Sequence, residues 1–317
     1  MKIEEIVQNA KQIIENFIAQ YSNWVIVIRW ATATGKTKLS VLLSQYFDIE
    51  IISADSRQFF REMNIGTDKI SQEILKKIPH HQIDIINPDQ TYTAGQRKKD
   101  TEQHIQEIQK RWKIPMIVGW TGLYIDTIYK NFNLPECKPN QTYREQLYKE
   151  EEQTPGTLHK QLQKTDPKAA EKIHPNSTRY LVRALEIYHE TWKTKSETNQ
   201  EYPVKRPLLM TWLWRDKEST NTLIDKRIEE MLTSGLVKEV ETLLQKWYHK
   251  ELQSMQGIGY KETVSYIDKQ INIEGLKELL QKHTHHLAKK QRTRFRRYIA
   301  DAKNNPKENV TYKVYEL

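Results

Sequence analysis

The sequence predicts an α/β fold: a parallel sheet flanked by helices, with a small helical insertion and a helical C-terminal part. Three observations predict it. Apolar-rich runs at residues 25–28, 49–53 and 114–118 are short and rich in Val and Ile, as strands buried on both faces are. Segments of helical periodicity separate these runs, which is the alternation that builds parallel sheets. Chemistry-bearing residues also cluster directly after the runs, where open α/β sheets place their ligands.

Taken in order, residues 1–22 read as an amphipathic helix with Ile3, Ile6, Ile13, Ile14 and Phe17 as its stripe. The first strand, Val25-Ile26-Val27-Ile28, leads into Trp30-Ala31-Thr32-Ala33-Thr34-Gly35-Lys36-Thr37, and a helical segment from Leu39 follows. Strand, tight loop and helix start form the setting of a phosphate-binding P-loop and mark the fold as P-loop NTPase-like. In that loop backbone N–H groups cradle phosphates, the lysine supplies a point charge and the Ser/Thr hydroxyl approaches Mg²⁺. One feature fails, because the first glycine of the pattern is Trp30.

The second strand delivers Asp55-Ser56-Arg57-Gln58 at its C-terminal end, beside the loop. A carboxylate there can hold Mg²⁺ through water or act as a general base. The alternative is an Asp that caps a helix starting near Ser56. His80-His81 enter another strand; adjacent residues point to opposite faces, so a structural or substrate-orienting role is favoured over metal ligation. A helix from Thr93 through Ile108 precedes the strand at 114–118, which ends in Gly119-Trp120-Thr121-Gly122-Leu123-Tyr124. This second glycine-containing turn can bring Thr121 to a phosphate or nucleotide.

Between residues 131 and 177 the strand pattern vanishes and polar helices follow a proline-containing connector. The division is a discontinuous core, 1–130 with 178–317, and a helical insertion, 131–177. The run 208–213 is the last expected core strand, and residues 217–303 are nearly all helical, with Pro306 marking the end.

Composition narrows the function classes. The chain has 317 residues, 37% hydrophobic and 29% charged, and no apolar run near the roughly 18 residues that span a membrane. With no cleavable apolar leader at the N-terminus, a cytoplasmic protein without membrane contact is expected. A lone Cys137 excludes an intrachain disulfide and a multi-cysteine zinc site. The net charge of +9 permits polyanion binding, although a lysine-rich composition alone would account for much of it. Clustering tips the balance: residues 289–297 carry Lys or Arg at six of nine positions.

Several segments together resemble the bacterial tRNA dimethylallyltransferase family over almost the whole chain. They are Thr32–Thr37 with its Gly35-Lys36-Thr37, Ser53-Ala54-Asp55-Ser56-Arg57-Gln58, Met63-Asn64-Ile65-Gly66-Thr67, His80-His81, Val118 through Tyr124, Arg183-Ala184-Leu185-Glu186, and Gly257-Ile258-Gly259-Tyr260-Lys261-Glu262. The resemblance implies transfer of a dimethylallyl group from dimethylallyl diphosphate to the exocyclic amine of the adenine 3′ of the tRNA anticodon. By that resemblance Thr32, Ala33, Thr34, Gly35, Lys36 and Thr37 bind the diphosphate, with Mg²⁺ at Thr37. Asp55 is the general base, and Thr121 is the second catalytic residue. Arg57, Gln58 and Thr121 line the adenine site; Asp55 and Ser56 with them, and Arg144, Arg179 and Arg183, contact the tRNA anticodon stem-loop. Arg227 either reaches the diphosphate or forms a surface ion pair. The insertion would close over the anticodon loop, the basic C-terminal helix would add phosphate contacts, and a monomer is the family expectation. The P-loop alone would equally suit a small-molecule kinase.

Tryptophan is oddly placed. The chain has eight Trp and only ten Gly, against a usual glycine share of about 7%. The family pattern has glycine at Trp30, Trp120, Trp192, Trp212 and Trp247, where φ > 0 or close backbone approach would exclude a Cβ. Arg294 and Arg97 stand where it has Trp and an aromatic. Either glycine codons have been written as tryptophan, or the chain is a tRNA-binding paralogue that has lost catalysis.

Overall fold

The computed structural model describes residues 3–29, 35–134 and 137–316. Six strands form one parallel sheet: β1 (Val25–Arg29), β2 (Ile49–Ala54), β3 (His80–His81), β4 (Ile114–Gly119), β5 (Leu208–Trp214) and β6 (Val310–Glu316). Their spatial order is β3-β2-β4-β1-β5-β6. Every residue of β1 and β2 is buried, as in a sheet covered on both faces, and the polar Arg29, Glu50 and Ser53 are buried along with the apolar majority. The α/β reading of the sequence stands.

One strand was not expected. β6 follows Pro306 and pairs along its whole length with β5, from Leu208↔Val310 to Trp214↔Glu316, so residues 208–213 are not the last strand. Its alternation of β-branched and aromatic residues with polar ones is a strand signal. Only Tyr315 of β6 is buried, however, so this edge strand lacks the apolar-rich run that reveals the central ones.

The helices, in chain order, begin with α1 (Ile3–Gln20), α2 (Lys36–Leu43), α3 (Gln72–Lys77), α4 (Ala94–Lys110) and α5 (Gly122–Tyr129). There follow α6 (Gln141–Gln153), α7 (Thr157–Thr165), α8 (Pro167–Lys172), α9 (Thr178–Thr191) and α10 (Lys195–Thr198). The last four are α11 (Lys217–Thr233), α12 (Leu236–Gln245), α13 (Tyr260–Ile267) and α14 (Ile273–Asn304). α1 buries Ile6, Val7, Ala10, Ile14 and Phe17, the expected stripe rotated slightly from Ile3 and Ile13.

The chain divides into two compact units. One, Met1–Thr91, Thr101–Ile125 and Val204–Leu317, contains the sheet; the other, Tyr92–Asp100 and Asp126–Pro203, is helical. The helical unit has its own core, in which Leu147, Leu158 and Leu162 pack with Leu181, Val182 and Leu185. Among the described residues no helix is long and apolar enough to cross a membrane.

The sheet register builds the site. Arg29 of β1 and Ala54 of β2 both pair with Gly119 of β4, so three strands end level with one another. A Cβ on Gly119 would stand 2.5 Å from the Ala54 backbone, so only glycine lets β2 and β4 close to this distance at their ends.

Candidate active site

The level strand ends open onto a cavity of about 320 Å³ in the sheet-containing unit, lined by Gly35, Lys36, Thr37, Asp55, Gln58 and Arg227, among others. Gly35 caps α2 with φ 88°, a left-handed conformation that favours glycine; among the described residues a Cβ there would meet nothing within 4 Å, so backbone conformation is the reason for glycine. The N-terminus of α2, with its unpaired N–H groups and positive dipole end, therefore faces the cavity. Thr32, Ala33 and Thr34, together with Trp30, lie outside the described residues.

Lys36 is partly buried and lines the cavity. Burial lowers its pKa to about 8; Asp55 and Asp68 oppose this and Arg227 adds to it. Arg227 Nη1 pairs with Asp68 Oδ2 at 3.0 Å, the ion-pair alternative for this residue, and Arg227 also lines the cavity. Burial raises the Asp68 carboxyl above its usual value, against the pull of Arg227 and Lys36.

Asp55 lines the cavity, and its Oδ1 accepts from the Arg57 N–H at 2.8 Å and the Gln58 N–H at 3.4 Å. It caps a turn, and no helix begins at Ser56. That turn aims Gln58 and Arg57 differently. Gln58 lines the cavity and donates to Asp68 O at 3.1 Å, whereas the Arg57 guanidinium donates to Gln253 O at 2.7 Å and does not line it. Ser56 is half-buried beside them. The Thr121 N–H donates to Ala54 O at 3.1 Å, which ties the second turn to the end of β2. Its hydroxyl is buried and has no partner among the described residues, an unused donor and acceptor next to Trp120 of the cavity wall.

The histidine pair separates as strand alternation requires. His80 lines the cavity, its pKa lowered by burial, while Nε2 of His81 lies 2.8 Å from Glu50. Among the described residues no group of three or more His, Cys, Asp or Glu is arranged to hold a metal ion.

In the helical unit, Arg144 and Arg183 converge on one buried carboxylate. Glu186 accepts from Arg144 Nε at 2.7 Å and Nη2 at 2.8 Å, from the Asn140 N–H at 2.8 Å, and from Arg183 Nη1. Arg179 is exposed one turn earlier on α9. Cys137 is buried, and burial pushes its thiol pKa up, which suits a packing residue.

The model of the IPP transferase family matches residues 58–298, more than half of the chain. The chain belongs to the IPP transferase family. Relatives of this transferase include the tRNA dimethylallyltransferase of Pelotomaculum thermopropionicum, 40% identical over 276 residues that cover 86% of this chain and 88% of the relative. The tRNA dimethylallyltransferase of Thermotoga neapolitana is 38% identical over 272 residues, 86% of this chain and 89% of its own. Among solved structures, the full-length tRNA isopentenylpyrophosphate transferase of Bacillus halodurans superposes with a TM-score of 0.64 at 34% identity, covering 93% of this chain and 91% of that one. A eukaryotic dimethylallyltransferase acting on tRNA superposes with a TM-score of 0.73 at 27% identity, covering 92% and 74%.

Sequence reasoning passed over Asp68 and Glu239 in this transferase. Asp68 directly follows the quoted Met63-Asn64-Ile65-Gly66-Thr67 segment, so that segment pointed at it. Glu239 gives no comparable signal, since it reads as an ordinary charge on the amphipathic helix α12.

Proposed function

We propose that the chain transfers the dimethylallyl group of dimethylallyl diphosphate to the exocyclic amine of the adenine 3′ of the tRNA anticodon. One observation carries the site assignment: level strand ends gather Gly35-Lys36-Thr37, Asp55 and Arg227 around a single cavity. The two phosphates occupy the N-terminus of α2, held by its N–H groups, Lys36 and Arg227, and Thr32, Ala33 and Thr34 are proposed as further diphosphate ligands.

A bond forms between the adenine amine nitrogen and the allylic carbon as the carbon–oxygen bond to diphosphate breaks, and diphosphate leaves with the electron pair. The nitrogen proton, made acidic as the C–N bond forms, passes to the Asp55 carboxylate. Lys36 and Arg227 stabilise the charge developing on the departing oxygen, inside a cavity where such interactions are strong. The Thr121 hydroxyl, unpartnered among the described residues, hydrogen-bonds the incoming base with Gln58. Ser56 and Arg57 shape the turn that presents Asp55.

Hard oxygen donors at this cavity suit Mg²⁺. The Thr37 hydroxyl and the Asp55 carboxylate line it, and Mg²⁺ is ordinarily held by few protein oxygens together with phosphate oxygens and water. When bound, the ion neutralises charge on the diphosphate.

Because the target adenine must leave the anticodon stack, that base is extruded at a cost of about a few kcal/mol. Arg144, Arg179 and Arg183 of the helical unit contact the RNA backbone, which positions the strand without reading sequence.

The test is incubation of the protein with an unmodified tRNA anticodon stem-loop, dimethylallyl diphosphate and Mg²⁺. Mass spectrometry of the RNA digest should show one dimethylallyl group on the adenine 3′ of the anticodon. An unaltered digest, with protein that still binds the RNA, would leave a tRNA-binding paralogue instead.

A further inference from the structure

The wall of the cavity that carries Thr67 and Asp68 is held in place by a carboxylate that does not line the cavity. Glu239, on α12, accepts from three successive backbone N–H groups: Asn64 at 2.9 Å and Ile65 at 2.8 Å through Oε2, and Gly66 at 3.1 Å through Oε1. The Tyr260 hydroxyl, from α13, donates to Oε1 at 2.7 Å. Successive N–H groups converging on one anion form a nest, here filled by the protein's own carboxylate. Tyr260 is 1% exposed, and burial, reinforced by the Glu239 charge, pushes its pKa well above the ordinary value, so it remains a donor.

The far side of the same segment reaches the chemistry. Gln58 Nε2 donates to Asp68 O at 3.1 Å, and the Asp68 carboxylate pairs with Arg227. A shift of residues 64–66 would therefore move Asp68 and re-aim Arg227, although Glu239 touches neither side chain. The geometry points to Glu239 as a positioning residue that sets the aim of Arg227 at the diphosphate. This rests on reading the cavity as the diphosphate site.

Glu239→Gln keeps the side-chain shape, but its amide nitrogen cannot accept, so part of the four-donor set loses its acceptor. The expected result is a KM for dimethylallyl diphosphate raised about tenfold, in line with the loss of a charge-assisted hydrogen bond, with kcat and the KM for tRNA little changed. Glu239→Asp should recover part of the loss. Hydrogen exchange at the amides of Asn64, Ile65 and Gly66, measured without substrate, should quicken in Glu239→Gln. An unchanged diphosphate KM in folded variant, or unchanged exchange at those amides, overturns the proposal. Failure of the unsubstituted protein to bind diphosphate overturns the reading of the cavity and leaves the exchange result to stand by itself.

A separate observation concerns the backbone. Trp112, Trp192 and Trp247 have φ of 60°, 55° and 67°, the left-handed region that bulky side chains almost never occupy. Their indoles are 95%, 81% and 83% exposed, so burial offers no compensation, and among the described residues only Trp192 has a ring neighbour, Tyr188 in edge contact at 6.1 Å. Each lies just past the last turn of a helix, α4, α9 and α12 respectively, where left-handed glycine ends helices.

We infer that positions 112, 192 and 247 are glycine in the working protein, their codons being decoded as glycine. Trp112 adds a position that sequence comparison alone did not raise. Trp212 does not share this geometry: it lies in the middle of β5, fully buried, its ring stacked on Tyr312 at 5.4 Å.

The test is to read the three codons and to measure the masses of the corresponding peptides from the native protein. UGA codons with glycine masses are expected; UGG codons or tryptophan masses overturn the inference. The combined variant Trp112→Gly, Trp192→Gly, Trp247→Gly should also melt several degrees higher than the tryptophan form, and a lower Tm counts against the inference.

Discussion

Arg227 Nη1 stands 3.0 Å from Asp68 Oδ2, and both residues line the cavity that holds Lys36. Arg227 therefore has two claims on its charge, one structural and one toward an anionic ligand. Removing the cation and removing its partner separate them. Arg227→Gln should weaken dimethylallyl diphosphate binding about ten- to a hundredfold, the range for a hydrogen bond to a charged group, and leave tRNA affinity unchanged. Asp68→Asn releases Arg227 and removes a negative charge, so diphosphate binding should hold or tighten. Isothermal titration of both variants with diphosphate decides it, and equal weakening in both would mean that the pair serves only the fold.

Lys36 gives a pH signature. Its pKa is lowered by burial to about 8 from an ordinary 10.5. Between those values the unfolded chain binds more protons at this group than the folded one, so stability rises with pH across that window and the contribution is absent below pH 8. Diphosphate binding runs the other way, because the anion favours the protonated lysine. Affinity should fall about tenfold per pH unit above pH 8 until the raised pKa of the complex is reached. Lys36→Met should flatten both profiles, followed by denaturant melts and by titration from pH 7 to 10.

The central strands and the P-loop helix were legible because burial on both faces favours apolar-rich runs of Val and Ile at β1, β2 and β4. β6 was not, because an edge strand with one buried residue leaves only the weaker alternation of Val310 through Tyr315. At the site, sequence located the residues that carry a motif, Gly35, Lys36, Asp55 and Gln58. It could not show that the Arg57 guanidinium is spent on the carbonyl of Gln253, nor that Glu239 clamps Asn64, Ile65 and Gly66. Those partners are separated by more than 170 positions in sequence, and no local pattern encodes such a pairing.

Asp55 accepts from the N–H groups of Arg57 and Gln58 while lining the cavity, so its turn-capping role has to be separated from the proton-accepting role proposed for it. Asparagine caps turns about as well as aspartate but is no base. Asp55→Asn should therefore fold with an unchanged Tm and bind the anticodon stem-loop normally, while kcat falls about 10²- to 10⁴-fold, the range for a lost general base. A kcat within threefold of the parent would assign Asp55 to the turn alone.

In the helical unit, two arginines share one carboxylate, so the cluster of Arg144, Arg183 and Glu186 keeps a net positive charge. Burial would raise the Glu186 pKa, but the bonds from Arg144, Arg183 and the Asn140 N–H together outweigh it and hold the carboxyl below its usual value. A depressed folded pKa contributes stability that is present above the unfolded value and lost as pH falls through the folded one. Glu186→Ala should cost about 1.5–3 kcal/mol at pH 7, the range for lost hydrogen bonds to a charged group, because the two arginines left behind are partly exposed, with the difference from the parent shrinking in acid. Arg144→Gln and Arg183→Gln should each lower the slope of log affinity for the stem-loop against log salt by about 0.7, the value per phosphate contact on single-stranded RNA. Arg179→Gln should do the same at almost no cost in stability, since Arg179 is exposed and outside the Glu186 cluster. If Arg144→Gln and Arg183→Gln destabilise the unit but leave the salt slope intact, the cluster is a structural clamp, and the RNA contacts fall to exposed cations such as Arg179.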